Sequence, residues 1–146
     1  MRFMMMVKSS PELQEGRLPD VELMEAMGRF NEEMAKAGVL ISGEGLHPSA
    51  QGARVRFSGG KPTLIDGPFV ETKEMIGGFW IIEVALKEEA IQWAMKSPAP
   101  FGPNEPSEIE IRRVYETEDF LAVPDAAEVV AKEQSLRAEL AKKNTK

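Results

Sequence analysis

Residues 65–83 read IDGPFVETKEMIGGFWIIE. An acid stands before Gly-Pro, a mixed-charge run follows, and two glycines open a strongly apolar segment. Asp66 before Gly67 fits a turn in which the carboxylate accepts backbone N–H bonds. Pro68 steers Gly67 to extended backbone, so the corner is stiff. The run from Gly77 to Leu86 has no polar face until Glu83, as expected of a strand covered on both sides. A rigid corner of this kind either joins two strands or forms the rim of a site.

On the N-terminal side of this corner, Pro62 to Ile65 is the returning strand of a hairpin. Its outgoing strand, Ala53 to Ser58, puts Val55 and Phe57 on one face and Arg54 and Arg56 on the other. Gly59-Gly60 is the turn. Val39 to Leu46 is an earlier strand, in which Gly43 and Gly45 signal a bulge or a close approach. A helix precedes it: Asp20 is the N-cap, Leu23, Met27, Phe30 and Met34 form one stripe, and Gly38 is a left-handed cap. Ser9 to Pro19 is a polar connection. Arg2 to Lys8 is the first strand, with Phe3, Met5 and Val7 on one face and Met4 and Met6 on the other.

On the C-terminal side, Lys87 to Lys96 is a helix with Ala90, Ile91, Ala94 and Met95 inward. Pro98 to Pro106 is a loop. Glu108 to Tyr115 alternates, with Ile109, Ile111 and Arg113 on one side and Glu108 and Glu110 toward solvent. Without the hairpin the order is βαββαβ, an α+β ferredoxin-like plan with helices on one sheet face. The other face would leave Met4, Met6 and alternate residues of 79–84 in water. A second copy packed sheet to sheet covers them, so a homodimer is expected. Residues 1–123 form the α+β domain. Pro124-Asp125 starts a helix reaching about Lys143, with Val129, Leu136 and Leu140 on a thin stripe, so 124–146 is a helical extension.

The chain has 146 residues, no cysteine, one histidine and a net charge of −6. A length near 150 residues suits one domain without staples. Without cysteine there is no disulfide, thiolate metal site or cysteine nucleophile. The acidic balance argues against nucleic-acid binding. The N-terminal MRFMMMVKSSP is too short an apolar run for a signal-peptide core, and no stretch approaches a membrane span. A soluble cytoplasmic protein is expected. No metal and no cofactor are expected, because the ligand types and phosphate-binding loops are missing.

The stretch DGPFVETKE, with AKAGVLISGEGLHPS before it and EEAIQWAMKSP and EIEIRRVY after it, resembles the DGPF family of YCII-related proteins over residues 1 to about 115. The resemblance implies a dimeric α/β barrel with a ferredoxin-like subunit. Some family members are encoded beside, or fused to, extracytoplasmic-function sigma factors. Distant relatives include a dehydrochlorinase of chlorinated hydroxyquinols, with a His–Asp pair as the proposed active centre. Those relatives carry the histidine in the first helix, where this chain has none and Met27 stands near the matching place. Asp66 matches their aspartate by position in the fold.

His47 is the one histidine here, on the loop after the second strand. Paired with Asp66 it would act as a general base; alone it is a surface loop residue. Lys73 would steady negative charge, with Glu71, Glu74, Arg54 and Arg56 around a small-molecule ligand; alternatively the run is a solvated charged surface. Phe79 is a candidate pocket wall, or core. The expected function is binding of a small organic molecule, with cofactor-free elimination, isomerisation or lyase-type chemistry on a ring catalysed by His47, Asp66 and Lys73. The alternative is a non-catalytic ligand-sensing or accessory module with a sigma-factor-type partner.

Overall fold

The computed structural model describes residues 1–144, and the side chain of Lys73 lies outside what is described. The chain divides into two compact units, Met1–Arg113 and Val114–Lys146. The first contains β1 (Arg2–Lys8), α1 (Pro11–Gln14), α2 (Val21–Lys36), β2 (Leu40–Gly45), β3 (Ala53–Ser58), β4 (Lys61–Asp66), β5 (Ile76–Glu83), α3 (Lys87–Lys96) and β6 (Ile109–Arg113). Four strands make an antiparallel sheet in the order β2-β5-β1-β6. With the β3–β4 hairpin set aside, the first and third strands of βαββαβ lie in the middle. That is the ferredoxin-like order.

One sheet face supplies Phe3, Met5, Val7, Trp80, Ile82 and Val84 to the core, which Phe30 and Met34 of α2 and Ala90 of α3 complete. The Leu23-Met27-Phe30-Met34 stripe is thus the face α2 turns to the sheet, and its last two members are buried. Asp20 caps α2 as its sequence suggests, accepting from Leu23 N at 2.8 Å. Gly38 ends it with φ +74, a left-handed geometry that costs glycine little.

Three local expectations change. The Ser9–Pro19 connection contains α1, capped by Ser10, whose hydroxyl accepts from Leu13 N at 3.1 Å, with Pro11 in the first turn. In α3, Met95 is 81% exposed while Trp93 packs on the core. Met95 comes five residues after buried Ala90, about 140° round the helix, so the two cannot share an inner face. The β3–β4 hairpin alternates as expected but forms a two-stranded sheet of its own. Val55, Phe57 and Leu64 are all exposed.

The second unit holds a 3-10 helix, Thr117–Ala122, and α4, Ala127–Asn144. Glu116 N donates to Asp119 Oδ2 at 2.7 Å, and the rings of Tyr115 and Phe120 lie 5.1 Å apart. The helix starts at Ala127, not at Pro124, because Asp125 has φ +62 and cannot continue a right-handed turn. Val130 is its buried residue, and Val129 is exposed.

The burial pattern sets a stability contrast between two methionines. Met34→Ala, at 0% exposure, should cost about 2–5 kcal/mol in urea unfolding. Met95→Ala should change stability by no more than about 0.5 kcal/mol. Similar losses for both would mean that α3 is rotated from the arrangement described.

Candidate functional site

A cavity of about 970 Å³ opens in the first unit. Its walls come from α1 and the turn after it, the N-terminal half of α2, the end of β2 with the following loop, the start of β5, and the 98–105 loop. Leu13, Leu23, Met27, Phe79, Trp80 and Phe101 make much of the lining apolar. That composition, with a few polar groups among apolar walls, is usual for small-molecule sites.

Trp80 sets the inner wall. Its indole N–H donates to Asn31 Oδ1 at 2.8 Å, and its ring meets Phe30 edge-on at 5.5 Å. The indole thereby satisfies its one donor while burying its ring. Gly43 on β2 makes room for it, since a Cβ there would lie 2.7 Å from Trp80 Cδ1. The glycine expected to mark a bulge or close approach marks the approach of this ring. Asn31 is one of the wall residues the sequence did not single out.

His47 stands on the wall at the start of a loop whose 3-10 turn is Ser49–Gln51. The loop is held from two sides. From α1, Gln14 Oε1 accepts from Ser49 N at 2.8 Å, while Gln14 Nε2 donates to Ser9 Oγ at 2.7 Å. From the Asp66-Gly67-Pro68-Phe69 corner, Gly67 N donates to the Gly52 carbonyl at 3.2 Å and Phe69 N donates to Ser49 Oγ at 3.1 Å. A Cβ on Gly67 would run into the Ser49 carbonyl. The corner therefore needs glycine because backbone lies against backbone. The Gly67–Pro68 peptide bond is cis.

His47 and Phe79 line the cavity; Arg54, Arg56, Asp66, Glu71 and Glu74 do not. Asp66 is exposed at the end of β4, opposite Ala53 in register. The corner and the His47 loop meet as neighbours. Among the described residues, however, no hydrogen bond or ion pair joins Asp66 to His47. The Arg54 guanidinium lies 3.8 Å from the centre of the Phe69 ring, and its Nη1 is 3.5 Å from Glu71 Oε2. Arg54 and Glu71 thus brace the corner from outside. Glu74 is exposed, in the 3-10 turn Thr72–Glu74 that also carries the Lys73 backbone.

The 17–20 turn and the 98–105 loop are joined by Arg17 Nη1, which donates to Glu105 Oε1 at 2.7 Å. No local pattern pairs residues 88 positions apart. Gln14 was more accessible to sequence reasoning, since Ser10-Pro11 is a helix-start signal. No group of three or more His, Cys, Asp or Glu among the described residues is placed to hold a metal ion. No helix among them is long and apolar enough to cross a membrane.

The model of the YCII-related domain matches residues 1–118. The chain belongs to the YCII-related domain family. This YCII-related chain is 35% identical over 75 residues to an uncharacterised protein of Rhizobium meliloti (strain 1021), a match covering 51% of this chain and 60% of that protein. The chain therefore spans less than two thirds of that relative's length. A solved structure of 5-chloro-2-hydroxyhydroquinone dehydrochlorinase from Burkholderia phenoliruptrix, in complex with 2,5-dihydroxybenzoquinone, is similar over 82% of this chain and 98% of that one. The identity is 18% and the TM-score 0.45.

Gly67→Ala tests the seating of the corner. Its clash is with backbone, so the expected loss is about 1–3 kcal/mol. Ser49→Ala should cost about 0.5–1.5 kcal/mol by removing one acceptor. Both should speed hydrogen exchange at the Gly67 and Phe69 amides. Unchanged exchange in Gly67→Ala would show that the corner does not hold the loop.

Proposed function

We propose that the cavity binds a small organic ring compound and that His47 exchanges a proton with it, in cofactor-free chemistry of elimination, isomerisation or lyase type. One observation carries this proposal: the single histidine of the chain stands on the wall of a largely apolar cavity of about 970 Å³. An imidazole changes charge near neutral pH, which suits a general base or acid. Its loop is held by Gln14 on one side and by the Asp66–Phe69 corner on the other. Asp66 then acts through the corner it begins, as a positioning residue, with no bond of its own to the imidazole. Trp80 and Phe101 supply aromatic wall for the bound molecule.

A second copy of the chain belongs to the same proposal. Met4 faces Ile81 and Met6 faces Phe79 across β1 and β5, on the sheet face away from Phe3, Met5 and Trp80. A two-fold pair would bury this apolar row against itself. Sedimentation equilibrium should give a dimer for the native chain and a monomer for Ile81→Lys, with the same far-UV spectrum. A native monomer at micromolar concentration would end this part of the proposal.

Turnover is tested with a panel of hydroxylated and halogenated ring compounds, screened by absorbance and by the shift of the His47 ring protons. A true substrate should lose about 10²–10⁴-fold in kcat with His47→Gln, while its dissociation constant changes little. Full activity in His47→Gln would remove the histidine from the chemistry. Binding with no turnover of any compound would favour a ligand-sensing module.

A further inference from the structure

The acidic residues bordering the cavity are Glu12, Asp20, Glu22, Glu44 and Glu105, and Arg17 is the one guanidinium; Glu44 stands in register with Phe79, on the sheet face away from Trp80. The guanidinium is already engaged, since its Nη1 donates to Glu105 Oε1 at 2.7 Å. The hydrogen bond and charge of Glu105 raise the Arg17 pKa above its ordinary value, and Glu12 and Asp20 add to the attraction. An incoming anion would therefore find the one permanent cation paired, with Glu12, Asp20 and Glu22 also on the wall. An incoming cation would meet those carboxylates and the aromatic residues Trp80 and Phe101 of the wall. Specificity of this kind works by leaving the wrong ligand without a partner.

We propose that the cavity takes an organic cation, an amine on an apolar body of aromatic size, and that Glu105 sets this preference by occupying Arg17. The proposal rests on the cavity being a small-molecule site and adds the charge class of what it binds. The apolar walls hold the body, and the rim selects the sign. Arg17 and Glu105 are both partly exposed, with side-chain accessibilities of 56% and 32%. The discrimination is therefore modest and sensitive to salt.

Three probes with one body and three charges test it: naphthylmethylamine, naphthylmethanol and naphthoate, titrated by calorimetry and ligand-observed NMR. At low ionic strength the amine should bind about tenfold more tightly than naphthoate, with the alcohol between them, and added salt should narrow the gap. Glu105→Gln should release Arg17 and raise naphthoate affinity about fivefold. Ala26→Phe, which fills the cavity from α2, should abolish binding of all three.

Naphthoate binding as tightly as the amine to the native protein would overturn the charge preference while leaving the cavity as a site. Unchanged naphthoate affinity in Glu105→Gln would remove Glu105 from the proposal. Amine binding that survives Ala26→Phe would mean adsorption to the acidic surface, which also overturns it. If none of the three probes binds the native protein, the small-molecule reading of the cavity fails, and the charge preference with it.

Discussion

Trp80 occupies the place where sheet, helix and cavity meet, and its contacts constrain all three. Its N–H donates to Asn31, so α2 has to lie with that side chain toward β5. Residues four and eight positions before Asn31, Met27 and Leu23, share its face of the helix and are turned to the same side. Both are wall residues of the cavity. The ring also needs the empty space over Gly43, which ties the edge strand β2 to the arrangement. A smaller residue at 80 would leave Asn31 without its donor and Phe30 without its edge-on partner. Sheet packing and cavity shape thus rest on one side chain.

A second constraint is made of backbone. The DGPF corner lies against the 49–52 loop through two N–H donors and the missing Cβ of Gly67. Side chains then brace it: Phe69 lies under the Arg54 guanidinium, and Arg54 reaches Glu71. The effect on the cavity is indirect but specific. The corner lies outside the wall, yet it fixes the loop that brings His47 to the wall. The motif's most distinctive residues thus act as a support for the site and not as its lining.

Much of the fold was legible because its signals are local. Alternation in β1 and β6, the Leu23-Met27-Phe30-Met34 stripe, the Asp20 cap and Gly38 each report the environment of a single element. The βαββαβ order followed from adding these up. What could not be read was how distant segments meet. Nothing near Arg17 points to Glu105. Alternation in β3 and β4 does not tell whether their apolar face is covered, and here it is not. In α3 the expected inner set of Ala90, Ile91, Ala94 and Met95 is turned too far round the helix: Trp93 packs on the core and Met95 does not. At the site, His47 and Phe79 border the cavity. The charged run from Asp66 to Glu74 drew attention as chemistry, although its observed contacts are those of a brace.

The isolated β3–β4 ribbon has a consequence of a different kind. Gly67 N–H meets the Gly52 carbonyl at 3.2 Å, so the excursion through 53–66 leaves and re-enters the protein at two points joined by one hydrogen bond. It pairs with no strand of the main sheet. A two-stranded ribbon alone is marginal in stability, and doubling the length of a closed loop costs only about 0.6 kcal/mol. The outer part of the ribbon is therefore open to change. It can be lengthened or shortened around its 59–60 turn while Arg54 and Asp66, at its base, go on bracing the corner and the sheet and histidine loop keep their places.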